Sequence, residues 1–583
     1  MDVFLKDNDR FVFIITENLL NQKDGVVFSD GYLGHTHQRY FCNDNMGQSP
    51  SKEIIETAEN RNEIYGEWIT VIKGGNNFEV ITDYFGFYMV YYCEVKLNSN
   101  SALVISNCFN SLSDYVRESN KKIELDIKSI FPILTSTDVF FANNFSTSTA
   151  NENIKSLRPD EKLLYCAKTG LVKIRQRNWI SSADSVSSLL DQGSQFLSKN
   201  IKEISDLDIN LFLSGGNDSR ICLSTLISTL GKDKVKLTTT VPTGKESPYS
   251  YKTFKNDFKV ANFIKEHLGL NWYKDNFRGS LEFTPDNYAR YISKFRSNSY
   301  YSRLSVGNRL ACSSSSEDSE VQVRGGAGEV LRVSTLYKTI AHKANKFGGF
   351  KNTTGSIKDD LCLVFDTVCP ESKFSKKIRD ESKQYFINYV VSYEGDNVEE
   401  KINNRFFLER NNRHFGHHRE KLALGKRTFF PLANPYWYIA AKKFSLSERE
   451  RKDFVNLVYN EFEPSVSELP FSGDAASKSL DYEIGVEKYN EFKSQQAKSH
   501  NHPGWKSSCN LSMQDYAKKE VHNMIEHIYS FSDSGKILMS DEVIAHVTEQ
   551  AELGGSIMMT NFMKIKSVFD AIHPCVSSYK IYI

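Results

Sequence analysis

Residues 209–216 read INLFLSGG, an apolar stretch that stops abruptly on one serine and two glycines. Apolar residues then recur at helical spacing, at Ile221, Leu223, Leu226, Ile227 and Leu230, until Gly231. This pattern predicts a buried strand that turns through glycines into a helix. Gly215 and Gly216 let the backbone come close to a bound group, and the amides freed at a helix start favour an anion. Ser214 and Ser219 add hydroxyl donors. Asp218, a carboxylate facing phosphate, makes sense only with a metal ion between the two.

A random chain of this length would contain the string SGGxDS roughly once in a thousand trials, taking about 7% usage at each fixed position. The strand-to-helix context therefore argues for a phosphate loop rather than an ordinary Gly/Ser turn. The pattern GxxxxGK[ST] occurs nowhere, so this is a different phosphate loop. Downstream, Lys236 to Val241 (KLTTTV) reads as the next parallel strand. Asp257 with Ala261, Ile264 and His267-Leu268-Gly269 reads as the helix beside it. Further on come Gly325 to Arg332 (GGAGEVLR) and Arg427 to Asn434 (RTFFPLAN).

In that order and spacing, these segments resemble the asparagine synthetase-like family, whose members cleave ATP between the α and β phosphates and adenylate a carboxylate. The resemblance implies ATP contacts at Leu213, Ser214, Gly215, Gly216, Asn217, Asp218, Ser219 and Val241, with Asp218 as a magnesium ligand beside the β and γ phosphates. GGAGEVLR resembles the family's second acidic loop, with Gly328 standing where an Asp is expected. Glu329 there binds magnesium, orients the amine or closes the loop. Arg332, one helical turn on, faces the same cleft and neutralises the pyrophosphate leaving group. Arg220 and Arg427 are rivals for that task, and a plain surface or interface ion pair is the alternative for each arginine. The family's late catalytic lysine has no clear match, and Lys478, after Pro470-Phe471-Ser472-Gly473, holds its place by position alone.

Residues 1–178 alternate in short β-rich segments, among them Phe11 to Ile15, Trp68 to Ile72, Phe78 to Ile81 and Leu103 to Ile105. Asp83-Tyr84-Phe85-Gly86, Val104 to Asn107, Ile154 to Pro159 and Lys168-Thr169-Gly170 resemble the later half of the amidotransferase-type domain that precedes the synthetase domain. Glutamine-using members carry a cysteine directly after the initiator methionine, since its free amine acts as the base. Here Asp2 follows Met1, and the first cysteine is Cys42. The expectation is a scaffold without glutamine hydrolysis, as in β-lactam synthetases and lasso-peptide cyclases. The fold class is then α/β, with a β-rich, Ntn-hydrolase-like domain (1–178) followed by a parallel-sheet PP-loop nucleotide-binding domain with a helical C-terminal part (179–583). Strand and helix alternate from about residue 180, which predicts right-handed crossovers and a ligand at the carboxyl ends of the strands.

At 583 residues the chain exceeds one core, and a formal charge of +1 gives no sign of a nucleic-acid or anionic-membrane partner. No apolar run approaches a membrane span, and Phe11 to Ile15 is too short for a signal peptide. Ten cysteines without CxxC spacing, several inside apolar runs, point to reduced core residues and a cytoplasmic protein. His414, His417 and His418 lack a third spaced ligand set and read as a solvated helix face; His500 and His502 read as loop. Residues 312–319 (CSSSSEDS) and 499–508 read as polar loops. The expected activity is an ATP- and Mg-dependent amide-forming ligase acting on a small-molecule or peptide carboxylate. The rival is a non-catalytic nucleotide-binding scaffold.

Overall fold

The computed structural model describes residues 11–33, 40–43, 66–97, 100–119, 123–136, 141, 145–177, 184–241, 248–273, 320–333, 336–346, 355–369, 375–415, 427–478, 480, 526, 537–538 and 580–582. The first strands are β1 (Phe11–Ile15), β2 (Gly25–Leu33), β3 (Tyr40–Asn43), β4 (Gly66–Gly74), β5 (Asn77–Thr82), β6 (Tyr91–Leu97), β7 (Asn100–Ser106), β8 (Ile123–Glu124), β9 (Lys155–Ser156), β10 (Glu161–Cys166) and β11 (Leu171–Gln176). They are followed by β12 (Asp208–Phe212), β13 (Val235–Thr238), β14 (Asn271–Trp272), β15 (Glu320–Val323), β16 (Arg427–Phe429), β17 (Ile537–Leu538) and β18 (Lys580–Tyr582).

Every residue of β1 is buried, because the strand is apolar on both faces. Phe11, Phe13 and Ile15 point into the core between two sheets, ordered β18-β1-β7-β6-β9 and β11-β10-β5-β4-β2-β3. The ring of Phe28 stacks there on Phe13 at 4.5 Å. Val12 and Ile14 point the other way, into a second core shared with α1 (Phe109–Glu118), α2 (Ile127–Thr135) and helices drawn from residues 336–402. Apart from β18, which runs parallel to β1, neighbouring strands in both sheets are antiparallel. The N-terminal layers are thus completed by later segments: helices beyond residue 336 cover one face, β18 extends one edge, and β17 pairs with β8.

The second half is built on a parallel sheet ordered β14-β13-β12-β15-β16. Around it lie α3 (Val186–Glu203), α4 (Asn217–Leu230) and α5 (Pro248–Leu268). Ile209, Leu211, Leu237, Val321 and Val323 are fully buried in its core. The molecule is therefore mixed α/β, with mainly antiparallel sheets followed by a parallel five-stranded sheet and helices. Chain order reverses between the central neighbours β12 and β15, and both lead at their carboxyl ends into glycine-bearing loops. A parallel sheet takes its ligands at such a switch point. The helical reading beyond residue 370 is met over 376–478 among the described residues. Among the described residues, no helix is long and apolar enough to cross a membrane.

A polar seam joins the two halves. A π-helical turn, Phe406–Asn411, carries Glu409, which accepts from Tyr389 (2.5 Å) and Tyr393 (2.9 Å) and pairs with Arg413 at 3.0 Å. Arg413 also donates to the Ser146 carbonyl (2.6 Å) and to Ser156 Oγ (3.0 Å). Above the seam, Phe85 and Phe87 of the N-terminal half reach Phe407 and Phe430, at 5.3 and 5.6 Å between ring centres.

Candidate functional site

The chain leaves β12 at Phe212 and enters α4 at Asn217, so residues 213–216 form the predicted strand-to-helix turn. Leu213 is buried and donates its amide to the Thr238 carbonyl of β13 at 2.8 Å, which fixes where the turn begins. The loop then holds itself. Ser219 Oγ accepts the Ser214 amide at 3.0 Å and lies 3.1 Å from Ser214 Oγ, which accepts the Gly216 amide at 3.2 Å. Gly215 donates instead to Asp257 Oδ1 on α5, at 3.0 Å. The glycine amides expected to face an anion are thus directed at internal acceptors. Gly216 caps α4 without any side-chain hydrogen bond, so the first turn of that helix is the part of the loop suited to an anion.

A distant strap crosses beneath the loop. Ser472 donates its amide to the Gly215 carbonyl (3.1 Å) and its hydroxyl to Asp257 Oδ1 (2.7 Å). A Cβ on Gly215 would stand 1.4 Å from Ser472 Oγ and 2.7 Å from Ser472 Cβ, so any larger residue there must displace Ser472. Arg220 fixes the strap from the other side, donating to the carbonyls of Leu469 (2.5 Å) and Pro470 (2.6 Å) with Phe471 stacked 4.0 Å from its guanidinium. It is fully buried, and burial pulls its pKa down to about 10. Arg220 does not stand at the loop surface, as its candidacy for the leaving group required. Two residues along a helix turn a side chain to the opposite face, so Asp218 and Arg220 diverge. Burial raises the Asp257 carboxyl, while the bonds from Ser472 and Gly215 favour its ionised form.

The second loop closes over Asp218. After β15, Ala327 adopts φ 67°, a left-handed turn, and Gly328–Val330 form a single 3-10 turn. Arg332 then lays its guanidinium side-on against Asp218, Nε to Oδ1 at 3.0 Å and Nη2 to Oδ2 at 2.8 Å. Glu329 is close enough for its charge to act on Arg332. Burial works against the charge of that guanidinium, and the Asp218 fork outweighs it, so the net shift is upward. The glycines make room for the pair. A Cβ on Gly328 would lie 2.5 Å from Asp218 Cγ, and one on Gly325 would lie 2.8 Å from the Asp218 carbonyl carbon. The acidic residue expected at 328 therefore has no space here.

Both oxygens of Asp218 are committed to Arg332, and among the described residues no group of three or more His, Cys, Asp and Glu side chains converges to hold a metal. Asp218 and Glu329 as they stand do not fit a resident metal ion. Among the described residues, Asn217 Oδ1 at the start of α4 and Thr239 Oγ1, just after the carboxyl end of β13, are buried without a hydrogen-bond partner. Val241, two residues on, is half-buried against the sheet's core. Lys478 is exposed near the strap, its carbonyl 3.4 Å from Lys259 Nζ. Arg427 begins β16, paired with Val321, and its side chain lies outside the described residues, as do the side chains of Cys42 and His414. Met1, Asp2, His417, His418, His500, His502, 312–319 and 499–508 are also outside them. Sequence reasoning missed Ser472 and Thr239; the only signal for Ser472 was the Pro-Phe-Ser-Gly turn around it.

No protein-family model matches this chain, and no curated protein is significantly similar to it.

Proposed function

We propose that this chain is an ATP-dependent, AMP-forming ligase that joins a carboxylate to an amine without hydrolysing glutamine. The observation that carries the reading is the convergence of the two loops at the switch point, with the start of α4 uncapped by any side chain and Arg332 beside it. In this reading a substrate carboxylate attacks the α-phosphorus of ATP, pyrophosphate departs and the amine displaces AMP. Residues 213–219 seat the triphosphate, Val241 and Thr239 border the nucleoside, and Arg332 meets the charge that accumulates on the leaving pyrophosphate. Glu329 stands beside that arginine, within reach of the same charge. Magnesium enters with ATP as part of the substrate. Arg220 acts at one remove, by positioning the strap. Among the described residues, the six cysteines with described side chains form no disulfide, which supports a reducing, cytoplasmic setting.

Nucleotide product analysis with a panel of small-molecule and peptide carboxylates plus an amine tests this. AMP and pyrophosphate are expected, with Asp218→Asn losing turnover about a hundredfold or more while keeping the fold. ADP as the product would refute the ligase reading. The Asp218–Arg332 fork favours the second reading, a non-catalytic nucleotide-binding scaffold, because it neutralises the carboxylate expected to hold magnesium beside the phosphates. That reading predicts ATP binding with no splitting under any carboxylate.

A further inference from the structure

Away from the phosphate loop, a cavity of about 400 Å³ opens where α3 and the last turn of α4 meet the end of the helix Asp453–Glu461. Thr229, in its lining, lies roughly 18 Å along the axis of α4 from Asn217, so the cavity is separate from the site at that helix's start. Asp191, Ser194, Gln195, Ser198 and Lys202 of α3 line it at helical spacing, on one face. Asp191 and Lys202 are exposed at the two ends of that face, and Glu461 of the neighbouring helix is exposed as well. Ser194 is buried between them, and its hydroxyl has no hydrogen-bond partner. Among the described residues, the side chains of Asp191, Gln195, Lys202 and Glu461 make no hydrogen bond or ion pair with another protein group.

We infer that this cavity binds a short peptide with free ends, an ammonium at one and a carboxylate at the other. Charges of both signs line it and are held apart: Asp191 and Lys202 stand three turns from each other, roughly 16 Å along α3. A simple amine would leave Lys202 without a partner, and a simple anion would meet two carboxylates. A free amino acid carries both charges on one carbon, too close together to serve both ends. Three extended residues cover roughly 10 Å, and the side chains of Asp191 and Lys202 span the rest. The last turn of α4 adds carbonyls with partial negative charge, which favour the ammonium. Peptide groups between the two ends offer both donors and acceptors to the Ser194 hydroxyl and the Gln195 carboxamide. The volume is that of a small-ligand pocket, which suits a peptide of this length and not a folded partner. The site is independent of the nucleotide reading.

Isothermal titration of the full chain with trialanine tests this, with trilysine and triglutamate as probes of side-chain charge. Saturable binding of trialanine is expected, weakened at least about tenfold by N-acetylation, by C-terminal amidation, or by replacing the peptide with free alanine. Added salt should weaken it too, because the charged groups are exposed. Variants then assign the ends. Asp191→Asn with Glu461→Gln should weaken the peptide with a free amine about tenfold and leave the acetylated form unaffected. Lys202→Gln should weaken the peptide with a free carboxylate to a similar degree and leave the amide unaffected. All three positions are exposed, so the variants are expected to fold, and circular dichroism checks that they do. No saturable binding of any of the three peptides by wild type would overturn the inference. So would equal binding of the blocked peptides or of free alanine, or folded variants that bind as wild type does.

Discussion

Asp83 in the N-terminal layers and Asp257 beside the parallel sheet are both carboxylates that accept backbone amides, and they do so over very different distances along the chain. Asp83 takes the amides of Phe85 (3.0 Å), Phe87 (3.0 Å) and Tyr88 (2.8 Å), all within five residues of itself. Asp257 takes the amide of Gly215, 42 residues away, and the hydroxyl of Ser472, 215 residues away. A local cap shapes one turn, and its loss is felt as stability. A long-range tie holds three segments in register around an opening, so its loss is felt as geometry at that opening. The same contrast holds for the glycines. Gly74 in the sandwich has nothing within 4 Å of where a Cβ would stand, whereas Gly215, Gly325 and Gly328 each have a neighbour inside 3.0 Å.

The largest expected difference comes from those glycines. Gly215→Ala drives a methyl group into Ser472 and must move either the strap or the phosphate loop. Displacement on that scale costs about a hundredfold in nucleotide-dependent turnover. Gly74→Ala should change stability by no more than about 0.5 kcal/mol and leave turnover alone. Thermal melts and nucleotide titrations on the two variants decide it. Equal tolerance at both positions would end the comparison.

The tie itself gives an intermediate effect. Ser472→Ala and Asp257→Asn should each lower kcat about tenfold, since each loosens the loop without blocking it. The Asp257 carboxyl is raised by burial, and its ionised form is the one that accepts from Ser472 and Gly215. As pH falls through that raised value the carboxylate is protonated and the tie weakens. Wild-type activity should therefore decline on the acid side at a pH above the ordinary aspartate value of 3.8, and Asp257→Asn should lack that limb. A pH–rate profile identical in both proteins would remove Asp257 from the loop's support.

The strand, the glycine turn and the helix at 209–230 were legible because they are local: one apolar run, one breaker and one periodic segment. The β-rich character of the first 178 residues was legible for the same reason, through short alternating segments. What sequence could not supply were contacts made across hundreds of residues by small side chains. Ser472 carries no periodic signal, and its meaning arises only where it meets Gly215. Arg220, named as a rival to Arg332, lies two positions from Asp218, which on a helix is the opposite face. Gly328 looked like a missing ligand, and in space it is the clearance that lets Arg332 reach Asp218. FVFII is apolar on both faces, and such a strand needs cover on both sides, which the helices beyond 336 provide.

Of the two carboxylates, Asp83 is expected to have the smaller effect on turnover, since its link to the second loop runs through packing: Phe87 against Phe430, and Phe430 against Gly326. Burial raises the Asp83 carboxyl to about 6, from an ordinary value of 3.8, although three amides favour its ionised form. The folded chain therefore holds that proton more tightly than the unfolded chain does. Its contribution to stability is complete below the ordinary carboxylate value and declines as pH rises through about 6. Asp83→Asn, which cannot titrate, should flatten that part of the stability profile in denaturant melts between about pH 4 and 7. Turnover at fixed pH should change less than about twofold, as expected for a site distant from the loop. A folded Asp83→Asn protein that had lost turnover would mean that the Asp83 turn positions the second loop as directly as Asp257 positions the first, and the contrast between local cap and long-range tie would fail there.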